Sequence, residues 1–138
     1  MRKIWILSFI LLCGACLRFY GLDAESLWAD EGITVRTVSD SFTAMKQILA
    51  KAIHPPLHYL ILHPFTHLFG NSEFVVRLPS AIFGIMSIFM TYCLGKSLFN
   101  ARTGFIAAGL VALSYFQIRY SQEARNYALL NMLALCSY

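Results

Sequence analysis

Apolar residues run almost unbroken from Ile4 to Leu17, from Leu78 to Gly95, from Thr103 to Ile118, and from Ala128 to the last residue, Tyr138. A helix that crosses a bilayer needs about 20 such residues. The pattern therefore predicts spans over about 4–20, 79–97 and 103–119, and the beginning of another over 128–138. That last run stops without a cap, a charge or a turn, so the chain is expected to be the front part of a longer protein.

The first run follows Met1-Arg2-Lys3 and also fits a signal peptide, with Cys13-Gly14-Ala15-Cys16 faintly like a lipoprotein cleavage site. The later apolar runs favour an uncleaved span instead. Arg18 is expected to snorkel to the far interface beside Phe19 and Tyr20.

Residues 21–78 are mixed in character. From Ser41 to Ile53 the residues Phe42, Met45, Leu49, Ala52 and Ile53 share one helical side, with Lys46, Gln47 and Lys51 opposite. Ser39, Asp40 or Ser41 can cap this helix, which suits the plane of a membrane surface. His54-Pro55-Pro56 ends it. Leu57 to Phe69 is apolar but short, is interrupted by Pro64 and stops at Gly70-Asn71. It reads as an interfacial or re-entrant piece; were it to cross with its flanks, everything downstream would invert. Pro79 sits near the start of the second span, where backbone N–H groups lack partners anyway.

Composition agrees with a bilayer as solvent. The chain is 58% hydrophobic and 13% charged, against about 25% charged in a soluble domain, and its mean hydropathy is +0.61. The net charge of +4 is scattered between apolar runs; no basic patch offers itself to nucleic acid. Cys13, Cys16, Cys93 and Cys136 lie in apolar runs and read as filler. Arg2, Lys3, Lys96 and Arg102 fall on one side of the predicted spans, which the positive-inside rule makes cytoplasmic. The loop 21–78 and the stretch Tyr120 to Tyr127 then share the outer side.

Two adjacent carboxylates, Asp30 and Glu31, stand between Trp28 and Ile33 in that outer loop. A solvated loop, or Asp30 as a helix N-cap, would explain them. Beside a bilayer, desolvation and mutual repulsion would hold one carboxylate's pKa up and suit it to accept a proton. All four histidines, His54, His58, His63 and His67, fall in one stretch, with His63 and His67 spaced as a metal pair would need. No metal ligand is assigned, and imidazoles also suit a wet interface. Arg77 at the mouth of the second span is an interface anchor, or a grip for a lipid-linked phosphate. Ser121-Gln122-Glu123-Ala124-Arg125-Asn126-Tyr127 is an ordinary polar loop or a source of a second carboxylate, a phosphate donor and a ring to face sugar.

Taken in order, Ser26-Leu27-Trp28-Ala29-Asp30-Glu31, His54-Pro55-Pro56-Leu57, Leu68-Phe69-Gly70, Arg77-Leu78-Pro79-Ser80 and Tyr120-Ser121-Gln122-Glu123-Ala124-Arg125 resemble the dolichyl-phosphate-mannose-protein mannosyltransferase-like membrane glycosyltransferases. That family includes bacterial members and the lipid A aminoarabinose transferases. The resemblance implies an all-α, multi-span GT-C fold with interfacial helices in the first outer loop, in a bacterial or archaeal cell membrane. It implies a polyprenyl-phosphate sugar donor and a protein, lipid or glycan acceptor on the outer face. By the same resemblance Asp30 is the catalytic base and Glu31 supports it or contacts the acceptor. Arg77 is implied at the donor phosphate; His54 stands where some relatives have lysine, and Glu123 and Arg125 match the second outer motif loosely.

The expectation is inverting hexosyl or pentosyl transfer, with charge stabilisation from Arg77, Arg125 and His54 or from a divalent metal ion. Helices that normally follow in the family are absent after Tyr138, so this stretch alone is expected to be inactive. The alternative is a non-catalytic multi-span protein such as a transporter subunit, whose path would be lined by polar groups inside the spans.

Overall fold

The computed structural model describes residues 2–51 and 55–138, and its described residues form eight α-helices and no strand. These are α1 (Arg2–Phe19), α2 (Ala29–Ser39), α3 (Phe42–Leu49), α4 (Leu57–Phe69), α5 (Glu73–Leu98), α6 (Ala101–Leu113), α7 (Tyr115–Ser121) and α8 (Tyr127–Cys136).

The helix α5 is the axis against which α1, α4, α6, α7 and α8 pack. Its 26 residues are apolar enough to cross a membrane and span roughly 39 Å at 1.5 Å per residue. Its buried face carries small residues, Ser80, Ala81, Gly84 and Ser87, which let neighbouring backbones approach closely. At the far end a Cβ on Gly95 would stand 2.9 Å from the Cα of Gly104, so α5 and α6 meet almost backbone to backbone. The helix begins at Glu73, capped by Ser72, not at Leu78. Pro79 therefore lies inside it, and the missing N–H is tolerated without a break. Pro64 likewise does not interrupt α4, which runs through it to the Gly70 cap at φ 88°.

Other expectations meet a different outcome. The third apolar run is not one straight span: α6 and α7 are bent by 61° about Ser114. Arg18 does not snorkel to an interface; it is fully buried in the bundle. The helix expected over 41–53 is described as Phe42–Leu49, capped by the Ser41 hydroxyl, while Ala52, Ile53 and His54 lie outside the described residues.

Apolar side chains also face outward. Trp5, Phe9 and Leu12 on α1 and Ile106, Leu110 and Leu113 on α6 are exposed, each trio at helical spacing. Two interior clusters lie under this surface. Ile88, Ala108 and Ala112 fill the middle of the bundle. Val38, Met45, Tyr59, Leu62, Val76 and Ala124 fix α2, α3 and α4 over one end of α5. At the opposite end Lys3 shares a recess with Asn100, Ala101 and Arg102. The molecule thus has a basic end and an end where the acidic doublet lies.

Candidate active site

The doublet opens α2, and helix geometry divides it. Residues Glu31, Thr34, Thr37 and Val38 form the buried stripe of α2, which turns Asp30, one residue earlier, away from the interior. Glu31 is the third residue of the helix, and its carboxylate accepts the Trp28 backbone N–H at 3.1 Å, as a glutamate in the first turn can. It also accepts Arg77 Nε at 3.0 Å and Nη2 at 2.7 Å, and the Ala124 N–H at 2.7 Å. Burial would raise its pKa, but the Arg77 hydrogen bonds and the two backbone N–H groups outweigh it and hold the carboxyl below its usual range. The raised proton affinity expected within the doublet is therefore not found at Glu31. It is found at Glu123, where burial pushes the carboxyl up against the opposing charge of Arg119.

Arg77 is placed differently from the expectation of a phosphate grip. Its Nη1 donates to the carbonyls of Leu22 at 2.9 Å and Glu25 at 2.8 Å, and Nη2 also reaches Ser26 at 3.3 Å. Together with Glu31, these acceptors occupy the whole guanidinium fork. Arg77 staples the segment after α1 to α5 with each N–H of its fork engaged, and it also borders the smaller cavity.

Asp30 is the exposed member, with its side chain 70% accessible and Arg125 Nη2 3.8 Å from its carboxylate. It lines a cavity of about 360 Å³ with Trp28, Glu123, Arg125 and Tyr127. A second cavity of about 220 Å³ lies across Trp28 and Glu123, bordered by Tyr20, Glu25, Arg119 and Gln122. Arg119 pairs with Glu25 at 3.0 Å and Glu123 at 3.6 Å, and its guanidinium sits 5.4 Å from the Trp28 ring centroid. Sequence reasoning passed over Glu25 and Arg119; neither belongs to a recognisable motif, and only the fold brings them together.

His58 is buried beneath Arg125 and Thr34, with neither ring nitrogen hydrogen-bonded. Burial pushes its pKa down to about 4, against an opposing pull from the Ala124 backbone, and the nearby Arg125 charge adds to the fall. His63 Nδ1 donates to the Val38 carbonyl at 2.8 Å and its ring meets that of His67 at 4.3 Å. Among the described residues no three His, Cys, Asp or Glu side chains gather as a metal site would require. His54 lies outside the described residues.

Among the described residues one helix is long and apolar enough to cross a membrane, and a polar cavity lined by Asp30, Glu123 and Arg125 accompanies it. The sequence model of the dolichyl-phosphate-mannose-protein mannosyltransferase family matches residues 53–138. The chain belongs to that family of membrane glycosyltransferases. Arg77, Glu123, Arg125 and Tyr127 lie within the matched residues, whereas α1 and the Asp30-Glu31 doublet precede them. No curated protein and no solved structure matches the chain.

Proposed function

We propose that the protein transfers a sugar from a polyprenyl-phosphate donor to an acceptor on the outer face of a cell membrane, with inversion, and that Asp30 is the base. The observation that carries this reading is the division of the doublet: Glu31 is buried and committed to Arg77 and Ala124, while Asp30 is exposed to a cavity, with Arg125 3.8 Å away. In the reaction the acceptor hydroxyl oxygen attacks the anomeric carbon and its proton passes to Asp30. The bond from that carbon to the phosphate oxygen breaks, and the lipid phosphate leaves as an anion. Such an anion needs no acid at neutral pH, but it needs positive charge nearby. Arg125 can supply it from the same cavity, since Arg77 has no donor to spare. Glu123, whose proton affinity burial raises, faces the same cavity. Tyr127 offers a ring to the sugar.

The same reading takes α1, α5 and the bent α6–α7 pair as multiple spans, with Lys3 and Arg102 at the cytoplasmic end. The outward apolar stripes of α1 and α6 support it, because a water-facing surface seldom concentrates so many large apolar groups.

The test uses the complete natural protein, including any chain that follows Tyr138, reconstituted in lipid nanodiscs with labelled polyprenyl-phosphate mannose or aminoarabinose. Label should pass to a protein, lipid or glycan acceptor, with the opposite anomeric configuration in the product. A product of retained configuration would remove the single-displacement mechanism, and label that never leaves the donor would remove the transferase reading.

A further inference from the structure

The bend at Ser114 has no proline or glycine to cause it. Ser114 adopts φ −65° and ψ 119°, so α6 stops at Leu113 and α7 restarts in a new direction. A helix end leaves the carbonyls of its last turn without partners, and in an apolar surrounding each such group is costly. Here two of them are met from another helix. Arg18 Nη1 donates to the Ala112 carbonyl at 3.2 Å and Nη2 to the Val111 carbonyl at 3.2 Å. Nη1 also holds the Gly14 carbonyl of its own helix at 3.1 Å. The guanidinium thus brings positive charge to the negative end of the α6 dipole. Glycines make the space: a Cβ on Gly84 would stand 2.9 Å from Arg18 Nε and 2.7 Å from Ser121 Cβ. A Cβ on Gly14 would meet Ile88 and come within 3.5 Å of Arg18 Nη1.

The service is returned at the end of α1. Its last carbonyls face Gln122, one residue beyond α7, whose side-chain amide donates to Tyr20 at 2.9 Å, Leu17 at 3.3 Å and Arg18 at 3.4 Å. One residue of α1 therefore caps α6, and the residue after α7 caps α1. Two positions beyond Gln122 the Ala124 N–H binds Glu31, and Arg125 follows beside Asp30.

We propose that Arg18 and Gln122 are positioning residues: their reciprocal capping fixes the bend between α6 and α7 and so delivers Ala124 and Arg125 to the acidic doublet. The link to catalysis rests on the transferase reading; the link to geometry does not. The experiment measures amide hydrogen exchange and transfer kinetics on the complete natural protein in nanodiscs, comparing unmodified chain with Arg18→Met, Arg18→Lys and Gln122→Leu. Arg18→Met and Gln122→Leu should each speed exchange at the Ala124 amide at least tenfold, while amides in the middle of α5 stay protected. Arg18→Lys should fall between, since it keeps the charge and loses the fork. The kcat should fall by about tenfold or more, with KM for the acceptor little moved, as misplacement of a reacting group predicts. Should Arg18→Met fail to fold, Gln122→Leu, at a partly exposed site, carries the test alone. Unchanged exchange at Ala124 in Gln122→Leu overturns the proposal. Faster exchange with unaltered kcat overturns its catalytic half. An unmodified protein that transfers no sugar sinks the transferase reading and leaves the clamp to be judged on exchange.

Discussion

Glu31 and Arg77, 46 residues apart in the chain, meet in a two-pronged pair with contacts of 3.0 and 2.7 Å, and their side chains are 2% and 4% exposed. The pair ties α2 to α5, and through the Ala124 N–H it ties both to the segment after α7. The start of α2 and the segment after α7, which both border the cavity that Asp30 lines, thus meet at one buried carboxylate.

Removing that charge should be expensive. Glu31→Gln leaves Arg77 buried against a neutral amide, and breaking a buried pair from one side typically costs about 3–5 kcal/mol. Thermal unfolding in detergent should show a clear fall in Tm, and Arg77→Lys should behave similarly because lysine cannot span both carboxylate oxygens and three carbonyls. The sign with pH follows from the lowered pKa of Glu31. Its contribution is complete above its ordinary value of 4.5 and is lost as pH falls from there through the depressed folded value.

His58 should make stability depend on pH in a different window. Unfolded, its imidazole takes up a proton below the ordinary 6.5; folded, it resists until about 4. Stability should therefore decline as pH falls from 6.5 to 4. The loss is about 3.5 kcal/mol at most, because each tenfold difference in proton affinity between folded and unfolded chain corresponds to about 1.4 kcal/mol. His58→Phe should flatten that part of the profile in melting experiments. An unaltered slope would place the titration elsewhere.

The proposed role of Arg125, whose guanidinium lies 3.8 Å from the Asp30 carboxylate, is to meet the donor phosphate. Arg125→Gln should raise KM for the polyprenyl-phosphate sugar by about 10- to 100-fold, as expected when a hydrogen bond to a charged group worth about 1.5–3 kcal/mol is lost. Melting should barely move, because the 3.8 Å approach to the exposed Asp30 carboxylate contributes little by itself.

Gly84 faces both Arg18 and Ser121 with no room for a methyl group. Gly84→Ala should destabilise the bundle by about 1–3 kcal/mol, the usual cost of overpacking. Urea or thermal titration in mild detergent checks this, and an unchanged midpoint would mean that the helices around Arg18 separate easily.

Much of this arrangement could be read from residue order. Ser41 and Gly70 mark helix ends by their own chemistry, and the apolar runs located α1, α5 and α8. The sequence placed the doublet and the segment around Glu123 on one side of the chain, and the Ala124 N–H to Glu31 hydrogen bond joins them. Three things were hidden. Ser114 is not a helix breaker by type, so the bend shows only where a distant arginine accepts the task of capping it. Arg18 at the end of an apolar run has the same sequence whether it snorkels outward or turns inward, and the difference is set by Gly84 on another helix. Asp30 and Glu31 are neighbours of like charge, and the roughly 100° between successive helical residues sends one inward and one outward. That rotation also determines the work of Arg77, which looks available in sequence and is consumed by Glu31 and three carbonyls in space.

The central claim is that the doublet splits its labour, Asp30 for chemistry and Glu31 for architecture. The most direct measurement compares Asp30→Asn with Glu31→Gln in the complete natural protein, recording sugar transfer and Tm on the same preparations. Asp30→Asn should lose transfer by at least about 100-fold, as removal of a general base does, with Tm unchanged, whereas Glu31→Gln should lower Tm sharply. Near-normal transfer by Asp30→Asn, or a Glu31→Gln protein as stable as the unmodified one, would contradict the account.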